Sequence, residues 1–184
     1  MILLFGDSIV AGYGLEAEDT ISSHLQSLLA DEGYEAAVVN AGVSGDTTAG
    51  GRTRLAWTLD RQQPNAVLLA LGGNDVLRGL PPEVTRENLD AMLAELQKRN
   101  IPTVLSAVQA PSNMGVDYQQ TLNGIYTDLA EKYEVPLYPF LIEDTFGKTD
   151  YMQDDGIHPN EAGAQLIARN LAEYLPETLS LSIN

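Results

Sequence analysis

Three side chains that lie far apart in the sequence could together attack a carbonyl carbon. Ser8 supplies a hydroxyl, His158 an imidazole and Asp155 a carboxylate. A serine hydroxyl is a poor nucleophile at neutral pH, and it needs an imidazole to accept its proton as it attacks. A carboxylate three residues before the histidine can fold back across a turn to hold the other ring nitrogen. These residue types and this spacing predict acyl transfer through a serine nucleophile.

The chain offers one alternative histidine and one alternative carboxylate for these roles. His24 follows Ile21 by three residues in a run of helical period, where a structural histidine is expected. His158 instead lies in a loop bounded by glycine and proline, which makes it the candidate base. Asp154 adjoins Asp155, and the spacing favours Asp155 without excluding Asp154.

Donors for the negative charge that such an attack creates are expected in two glycine-rich loops. Neutral hydrogen-bond donors must stabilise the developing oxyanion. Asn74 offers a side-chain amide, whereas the carboxylate of Asp75 beside it would repel an oxyanion. Gly45 has no side chain and can bring its backbone N–H close to a substrate. Spacing leaves three other glycines open for the same role, namely Gly42, Gly50 and Gly51.

The elements that must position these residues follow an alternating pattern. Short apolar runs alternate with longer segments of helical period, which predicts an α/β protein with a parallel sheet covered by helices on both faces. The five predicted strands are 2–5, 37–40, 67–71, 103–107 and 137–139. Predicted helices cover 21–29, 48–59, 89–96, 118–133 and 160–175.

The suggestive residues all follow predicted strands. They occupy loops 6–8, 40–46, 72–75 and 154–159, after the first, second, third and fifth strands. Because the carboxyl ends of parallel strands meet at one edge of the sheet, we expect these four loops to converge there. The sequence therefore predicts one site built from distant segments.

Length, charge and cysteine content narrow the class of protein. A chain of 184 residues can bury roughly 70% of its unfolded surface in one core, so we predict a single domain over 1–184. Its 26 acidic and 10 basic residues give a formal net charge of −16, which argues against a nucleic-acid partner. There is no cysteine, which excludes thiolate catalysis and cysteine-ligated metals. No apolar run in the chain as given suits a signal peptide or membrane span, and we expect no stable membrane insertion.

Substrate contacts are expected in two loops near the predicted site edge. Segment 109–117 contains Met114, and segment 140–153 contains Leu141 and Ile142. These side chains are apolar enough to bind an acyl chain, and they could equally pack beneath long loops. Trp57 lies in a helical pattern with Leu55 and Leu59, so we predict that it belongs to the core.

Four ordered sequence blocks resemble those of a known family. They are Gly6-Asp7-Ser8-Ile9, Gly45, Gly72-Gly73-Asn74-Asp75 and Asp155-Gly156-Ile157-His158. Together they are similar to the blocks of GDSL esterases, the SGNH hydrolases, and the match spans essentially the whole chain. Segments 40–47, 72–79 and 153–160 look closest to the bacterial acyl thioesterase, lysophospholipase and arylesterase branch. Ile9 stands where the family name expects leucine, an apolar change that puts no catalytic residue in doubt.

The resemblance implies a fold and a set of residue roles. It implies a flavodoxin-like three-layer α/β/α sandwich without a metal or cofactor. Ser8 would be the nucleophile, His158 the base and Asp155 its orienting acid. The oxyanion hole would consist of the Ser8 and Gly45 N–H groups and the Asn74 side chain. The resemblance thus selects Gly45 and Asp155 among the alternatives that spacing leaves open.

The function expected from these residues and this resemblance is hydrolysis of small carboxylic esters and thioesters through an acyl-serine. A carbohydrate O-deacetylase on the same fold is the alternative within enzymes, since the blocks do not specify the alcohol. A flavodoxin-like binding protein is the alternative outside enzymes, but the chain has neither G-x-x-x-x-G-K-[ST] nor G-x-G-x-x-G. Members of this branch are often exported, so the resemblance favours a periplasmic location. Acyl length and oligomeric state do not follow from these features.

Overall fold

Five parallel strands form one sheet at the centre of the molecule. The computed structural model describes residues 1–183, with Ser112 described by its backbone alone. The strands are β1 (Ile2–Gly6), β2 (Val38–Gly42), β3 (Ala66–Ala70), β4 (Thr103–Ser106) and β5 (Leu137–Tyr138). Their order in the sheet is β2-β1-β3-β4-β5, and every neighbouring pair is parallel. This confirms the predicted α/β fold and its flavodoxin-like strand order.

Helices cover both faces of the sheet. They are α1 (Ser8–Ala11), α2 (Ile21–Asp31), α3 (Thr48–Gln62), α4 (Gly73–Leu77), α5 (Pro82–Lys98), α6 (Val116–Tyr133) and α7 (Glu161–Thr178). Short 3₁₀ helices occur at Ala17–Asp19 and Ser112–Met114. None of the helices in residues 1–183 is both long and apolar enough to span a membrane.

Strand β1 shows how the two faces are divided. Ile2 and Leu4 belong to the core cluster shared with α2 and α7, whereas Leu3 and Phe5 belong to the cluster shared with α3, α5 and α6. Successive side chains of a strand point to opposite faces, so a strand between two helical layers must be apolar at every position. The five residues of β1 are all buried. This buried strand anchors the loop that follows it.

The strand order creates a crevice between β1 and β3. The connection from β1 leads to β2 on one side and the chain then crosses back to β3 on the other, a topological switch point where open α/β sheets bind ligands. Ser8 opens α1 directly after β1, and Asn74 lies in α4 shortly after β3. Gly72 precedes α4 with φ +127°, and a Cβ there would lie 2.1 Å from the Tyr126 hydroxyl oxygen. Only glycine allows this close turn.

The prediction for Trp57 is wrong. Its side chain is 65% exposed, and the Arg61 guanidinium lies 5.7 Å from the ring centroid. The buried face of α3 contains Leu55, Thr58 and Leu59. A residue two positions after Leu55 lies on the opposite side of a helix of 3.6 residues per turn.

The structure also contains two short helices that the sequence patterns did not predict. The short helices α1 and α4 are absent from the predicted set, because four or five residues are too few to show a helical period.

His24 is partly buried in α2, as expected for a structural histidine, and its Nε2 has no hydrogen-bond partner among residues 1–183. The assignment of 1–184 to a single domain stays a prediction.

Candidate active site

Ser8, His158 and Asp155 form a continuous hydrogen-bonded chain. His158 Nε2 lies 2.9 Å from Ser8 Oγ, although 150 positions separate the two residues. His158 Nδ1 lies 2.6 Å from Asp155 Oδ2. An imidazole that carries its proton on Nδ1 donates to Asp155 and leaves Nε2 free to accept the Ser8 proton. This is the geometry that a serine nucleophile and its base require.

A local turn holds Asp155 beneath the histidine. Asp155 Oδ1 accepts the backbone N–H groups of Ile157 at 2.9 Å and His158 at 3.0 Å. These bonds, with the His158 ring bond, lower the pKa of the Asp155 carboxyl to about 2. The carboxylate is therefore charged at neutral pH, and the 38% exposure of its side chain also favours the charged form. Asp155 contacts the imidazole, whereas the neighbouring Asp154 is an exposed residue of the same loop.

Asp7 is a buried carboxyl group next to Ser8. It caps α1, and its Oδ1 accepts the Ile9 N–H at 3.1 Å. Burial raises the pKa of Asp7 to about 6, against the opposing effects of the Ile9 bond and the nearby His158. Asn74 Nδ2 lies 3.5 Å from Asp7 Oδ2. The sequence patterns gave Asp7 no role, and its position directly before the first helical residue is the signal that marks it as a cap.

Two backbone N–H groups, one in the segment after β1 and one in the loop after β2, have no acceptor among the described residues. They are the N–H groups of Ser8 and Gly45. The other glycines differ in this respect. Gly42 N donates to Asn40 Oδ1 at 2.9 Å, Gly50 N to Thr47 Oγ1 at 3.4 Å and Gly51 N to Thr47 O at 3.0 Å. Of the four candidate glycines, Gly45 is thus the one whose N–H has no acceptor among the described residues.

The loop that contains Gly45 is bonded to α4, the short helix that contains Asn74. Gly45 adopts φ +83°, and its carbonyl accepts Arg78 Nη2 at 2.8 Å. Asn74 Nδ2 donates to the Asp46 carbonyl at 2.9 Å. The Asp46 side chain accepts Arg54 Nε at 2.6 Å. Arg54 lies outside the sequence motifs. Arg78 lies inside segment 72–79 but received no role there, because its bond reaches a residue 33 positions away.

The carboxylate of Asp75 is directed at the start of α3. Its side chain is fully buried and accepts hydrogen bonds from the backbone and hydroxyl of Thr48. Because the Asp75 carboxylate points toward α3, it repels an oxyanion less than its place beside Asn74 in the sequence suggests.

An apolar cavity of about 170 Å³ opens beside Ser8 and Asn74. Leu141 and Ile142, expected at the substrate site, line its wall. Met114 does not line it, and this side chain instead packs half-buried against the core cluster of α5 and α6. The remaining apolar lining includes Val76, Leu77, Val108, Phe140, Phe146 and Ile157.

A tyrosine covers one face of the imidazole. The rings of Tyr13 and His158 lie 4.6 Å apart between centroids, with an interplanar angle of 38°. Gln153 Nε2 joins the two loops by donating to the carbonyls of Tyr13 at 2.7 Å and Pro159 at 2.9 Å. No sequence signal marked Tyr13, since its contact with the histidine depends on the tertiary fold.

The fold and this constellation define a class: an α/β protein with a Ser-His-Asp chain at the switch point of its sheet. Among the described residues, no group of three or more His, Asp or Glu side chains is arranged to hold a metal ion. Residues 4–166 match the GDSL-like lipase/acylhydrolase family. Since this match covers most of the chain, the protein belongs to that family.

Characterised relatives and solved structures resemble nearly the whole chain. An arylesterase from Vibrio mimicus is 38% identical over 97% of this chain and 89% of its own length. The thioesterase/protease/lysophospholipase of Escherichia coli is 40% identical over 95% of this chain and 82% of its own. The esterase EstA from Pseudoalteromonas, solved in a form inhibited by monoethylphosphonate, has a TM-score of 0.93 at 34% identity. That alignment covers 97% of this chain and 98% of EstA.

Proposed function

We propose that this carboxylic ester hydrolase works through an acyl-serine intermediate on Ser8. The observation that carries the proposal is the pair of contacts at His158, 2.9 Å to Ser8 Oγ and 2.6 Å to Asp155 Oδ2. A hydroxyl, an imidazole and a charged carboxylate in this order supply a nucleophile, a base and a group that fixes the base.

The reaction proceeds in two displacements. His158 Nε2 takes the Ser8 proton as Oγ forms a bond to the acyl carbon, and the imidazolium then gives that proton to the departing oxygen or sulfur. Water next attacks the acyl-serine while His158 accepts its proton. Return of the proton to Ser8 Oγ breaks the acyl-enzyme bond and releases the carboxylic acid. Asp155 holds the imidazole and stabilises its charged form throughout.

Three neutral donors stabilise the oxyanion of each tetrahedral intermediate. They are the N–H groups of Ser8 and Gly45 and the side-chain amide of Asn74. Support comes from the two backbone N–H groups that have no acceptor in the described chain. Asn74 lines the cavity together with Ser8, and its Nδ2 has one short bond, to the Asp46 carbonyl, and only a 3.5 Å contact with Asp7 Oδ2. Removal of one such donor usually costs about 3 kcal/mol of barrier.

The substrate is a small ester or thioester with an apolar acyl group. The cavity beside Ser8 can receive such a group, and Leu141 and Ile142 lie on its wall. Relatives named arylesterase and thioesterase/lysophospholipase support both classes of leaving group. An acetyl group would leave most of this apolar cavity unfilled, so deacetylation of carbohydrates is the less supported alternative.

The test compares p-nitrophenyl esters of increasing acyl length on the wild type and on Ser8→Ala. We expect hydrolysis by the wild type and a loss of at least about 10³-fold in kcat for Ser8→Ala. A p-nitrophenyl alkylphosphonate should add one phosphonyl group to the wild type at Ser8, detected by mass spectrometry, and none to the variant. Equal turnover by Ser8→Ala would overturn the mechanism. Faster release of acetate from acetyl-xylan than of any aryl ester or thioester acid would favour the carbohydrate alternative.

A further inference from the structure

A buried carboxyl group joins the two segments that contain the proposed oxyanion donors. Asp75 is fully buried in α4, one residue after Asn74. Its Oδ2 accepts the backbone N–H of Thr48 at 2.8 Å, and its Oδ1 accepts the Thr48 hydroxyl at 2.5 Å. Thr48 is the first residue of α3 and lies three residues after Gly45. Asp75 is therefore next to one proposed donor, Asn74, in the sequence and bonds a residue three positions from the other, Gly45.

A second layer of polar side chains holds this contact from α5. Thr85 Oγ1 donates to Asp75 Oδ1 at 3.4 Å, and Asn88 Nδ2 donates to Thr48 Oγ1 at 3.2 Å. Arg52 Nη1 donates in turn to Asn88 Oδ1 at 3.3 Å. Thr48, Asp75 and Thr85 are fully buried. A buried polar group without partners is costly, so this network favours a single arrangement of the three helices.

We propose that Asp75 is a positioning residue for ester hydrolysis, which fixes the Gly45 N–H and the Asn74 amide relative to each other through its paired bonds to Thr48. This role rests on the proposed function, because it acts through the oxyanion donors. Asp75 itself touches no reacting atom. Its carboxyl group joins the start of α3 to α4, so the positions of the two donors depend on how these two helices are placed.

Distance requirements make this coupling important for the rate. An oxyanion donor acts when it lies about 2.7–3.1 Å from the developing charge. A misplacement of about 1 Å can reduce a rate by about 10²-fold. Gly45 is exposed and adopts a positive φ, so its position depends on the bonds that hold the neighbouring residues. The Asp75–Thr48 pair is the fully buried member of those bonds.

The experiment compares isosteric substitutions at Thr48. Thr48→Val keeps the shape and the backbone N–H but removes the hydroxyl that Asp75 and Asn88 both contact, and Thr48→Ser keeps that hydroxyl. With p-nitrophenyl butyrate, we expect Thr48→Val to lower kcat by about 10- to 100-fold with KM changed by less than about threefold. Thr48→Ser should keep most of the wild-type kcat. Thr58→Val is the matched control, because Thr58 is a buried threonine of the same helix whose hydroxyl bonds Arg54 O.

A second measurement separates positioning from general loss of stability. An alkylboronic acid forms a tetrahedral adduct with a serine hydroxyl and places one oxygen among the oxyanion donors. Across the variants, its affinity should fall in proportion to kcat/KM, whereas inhibition by butyrate should remain constant. All assays are run at a temperature well below each variant's measured Tm. If Thr48→Val does not fold, Thr85→Val takes its place, with an expected loss of about threefold because its bond to Asp75 is longer.

The outcomes distinguish this inference from the proposed function. Wild-type kcat and boronate affinity in a folded Thr48→Val protein, together with an inactive Ser8→Ala protein, would overturn the positioning role alone. Wild-type turnover by Ser8→Ala would overturn both. Parallel losses in kcat and boronate affinity that Thr48→Ser reverses would support the positioning role.

Discussion

The two sides of the active site are held in place in different ways. On the base side, Asp155 and His158 lie three residues apart in one loop, and a local turn accounts for most of their contacts. On the donor side, Gly45 lies in the loop before α3 and Asn74 lies in α4, and long-range bonds join these two segments through Asp46 and the buried Asp75. Local geometry is thus sufficient for the base, whereas the donors depend on the packing of several helices.

This contrast predicts different consequences when each side is disturbed. A change on the base side should impair proton transfer and leave the fold largely unchanged. A change on the donor side should alter both turnover and the buried network. Substitutions on the two sides should therefore be distinguishable by measuring kcat and Tm together.

The largest effect is expected from Asp155→Asn. The amide can no longer hold the imidazole in the required tautomer or stabilise its charged form, so kcat should fall by about 10⁴-fold. Asp154→Asn is the matched control, since it removes an exposed carboxylate from the same loop, and its kcat should remain within about twofold of the wild type. The measurement is steady-state hydrolysis of p-nitrophenyl butyrate with thermal unfolding of both variants. A large loss in Asp154→Asn with little loss in Asp155→Asn would reverse the assignment of the acid.

An intermediate effect is expected from Asn74→Ala. Loss of the amide removes one oxyanion donor, and kcat should fall by about 10²- to 10³-fold. The variant also loses the bond to the Asp46 carbonyl, so its Tm should fall by more than that of Asp155→Asn, whose lost charge lies in one exposed loop. Asn123→Ala makes the same change at an exposed position of α6 and should alter neither quantity. The comparison between the two sides would fail if Asn74→Ala left the Tm unchanged and Asp155→Asn lowered it.

The smallest effect is expected in stability, from Asp7→Asn. The folded-state pKa of Asp7 is raised to about 6 from an ordinary value of 3.8. A raised pKa means that the folded protein binds the proton more tightly than the unfolded chain, so stability is lost as the pH rises from about 4 through 6. Asparagine cannot ionise and is an equally good helix cap. Above pH 7, Asp7→Asn should therefore be more stable by about 1 to 3 kcal/mol.

Urea unfolding at pH 5 and pH 8 measures this difference. The advantage of Asp7→Asn should grow between the two pH values, because the wild-type carboxyl loses its proton over that interval. Asp154→Asn provides the baseline, as an exposed carboxylate whose replacement should give a nearly constant difference. An advantage that did not change with pH would show that the charge on Asp7 is not the destabilising factor.

The difference between the two sides also explains what the sequence could predict. The alternation of apolar runs and helical periods was sufficient for five parallel strands and the main helices, with most boundaries displaced by a few residues. The spacing of Asp155 and His158 pointed to their contact, because that contact is local. The link between Thr48 and Asp75 left no such pattern, since it depends on how α3, α4 and α5 pack. Gly45 was distinguished from the other glycines only by resemblance.

Trp57 and Asp75 differ from their sequence-based expectations for physical reasons. The residue type of Trp57 suggests a core position, whereas its place on the helix determines its exposure. The sequence presents Asp75 only as a charge that would repel an oxyanion, because its neighbour Asn74 faces the site. Adjacent residues of a helix point about 100° apart, so neighbours in sequence can serve different environments.

The bond between Ser8 and His158 joins residues 150 positions apart. A ribosome therefore completes most of the chain before the nucleophile can meet its base, and a nascent protein with β1 through β4 already formed has no working hydrolase site. Onset of ester hydrolysis consequently reports that the loop after β5 has docked against β1. Activity during refolding should therefore recover no earlier than that loop docks.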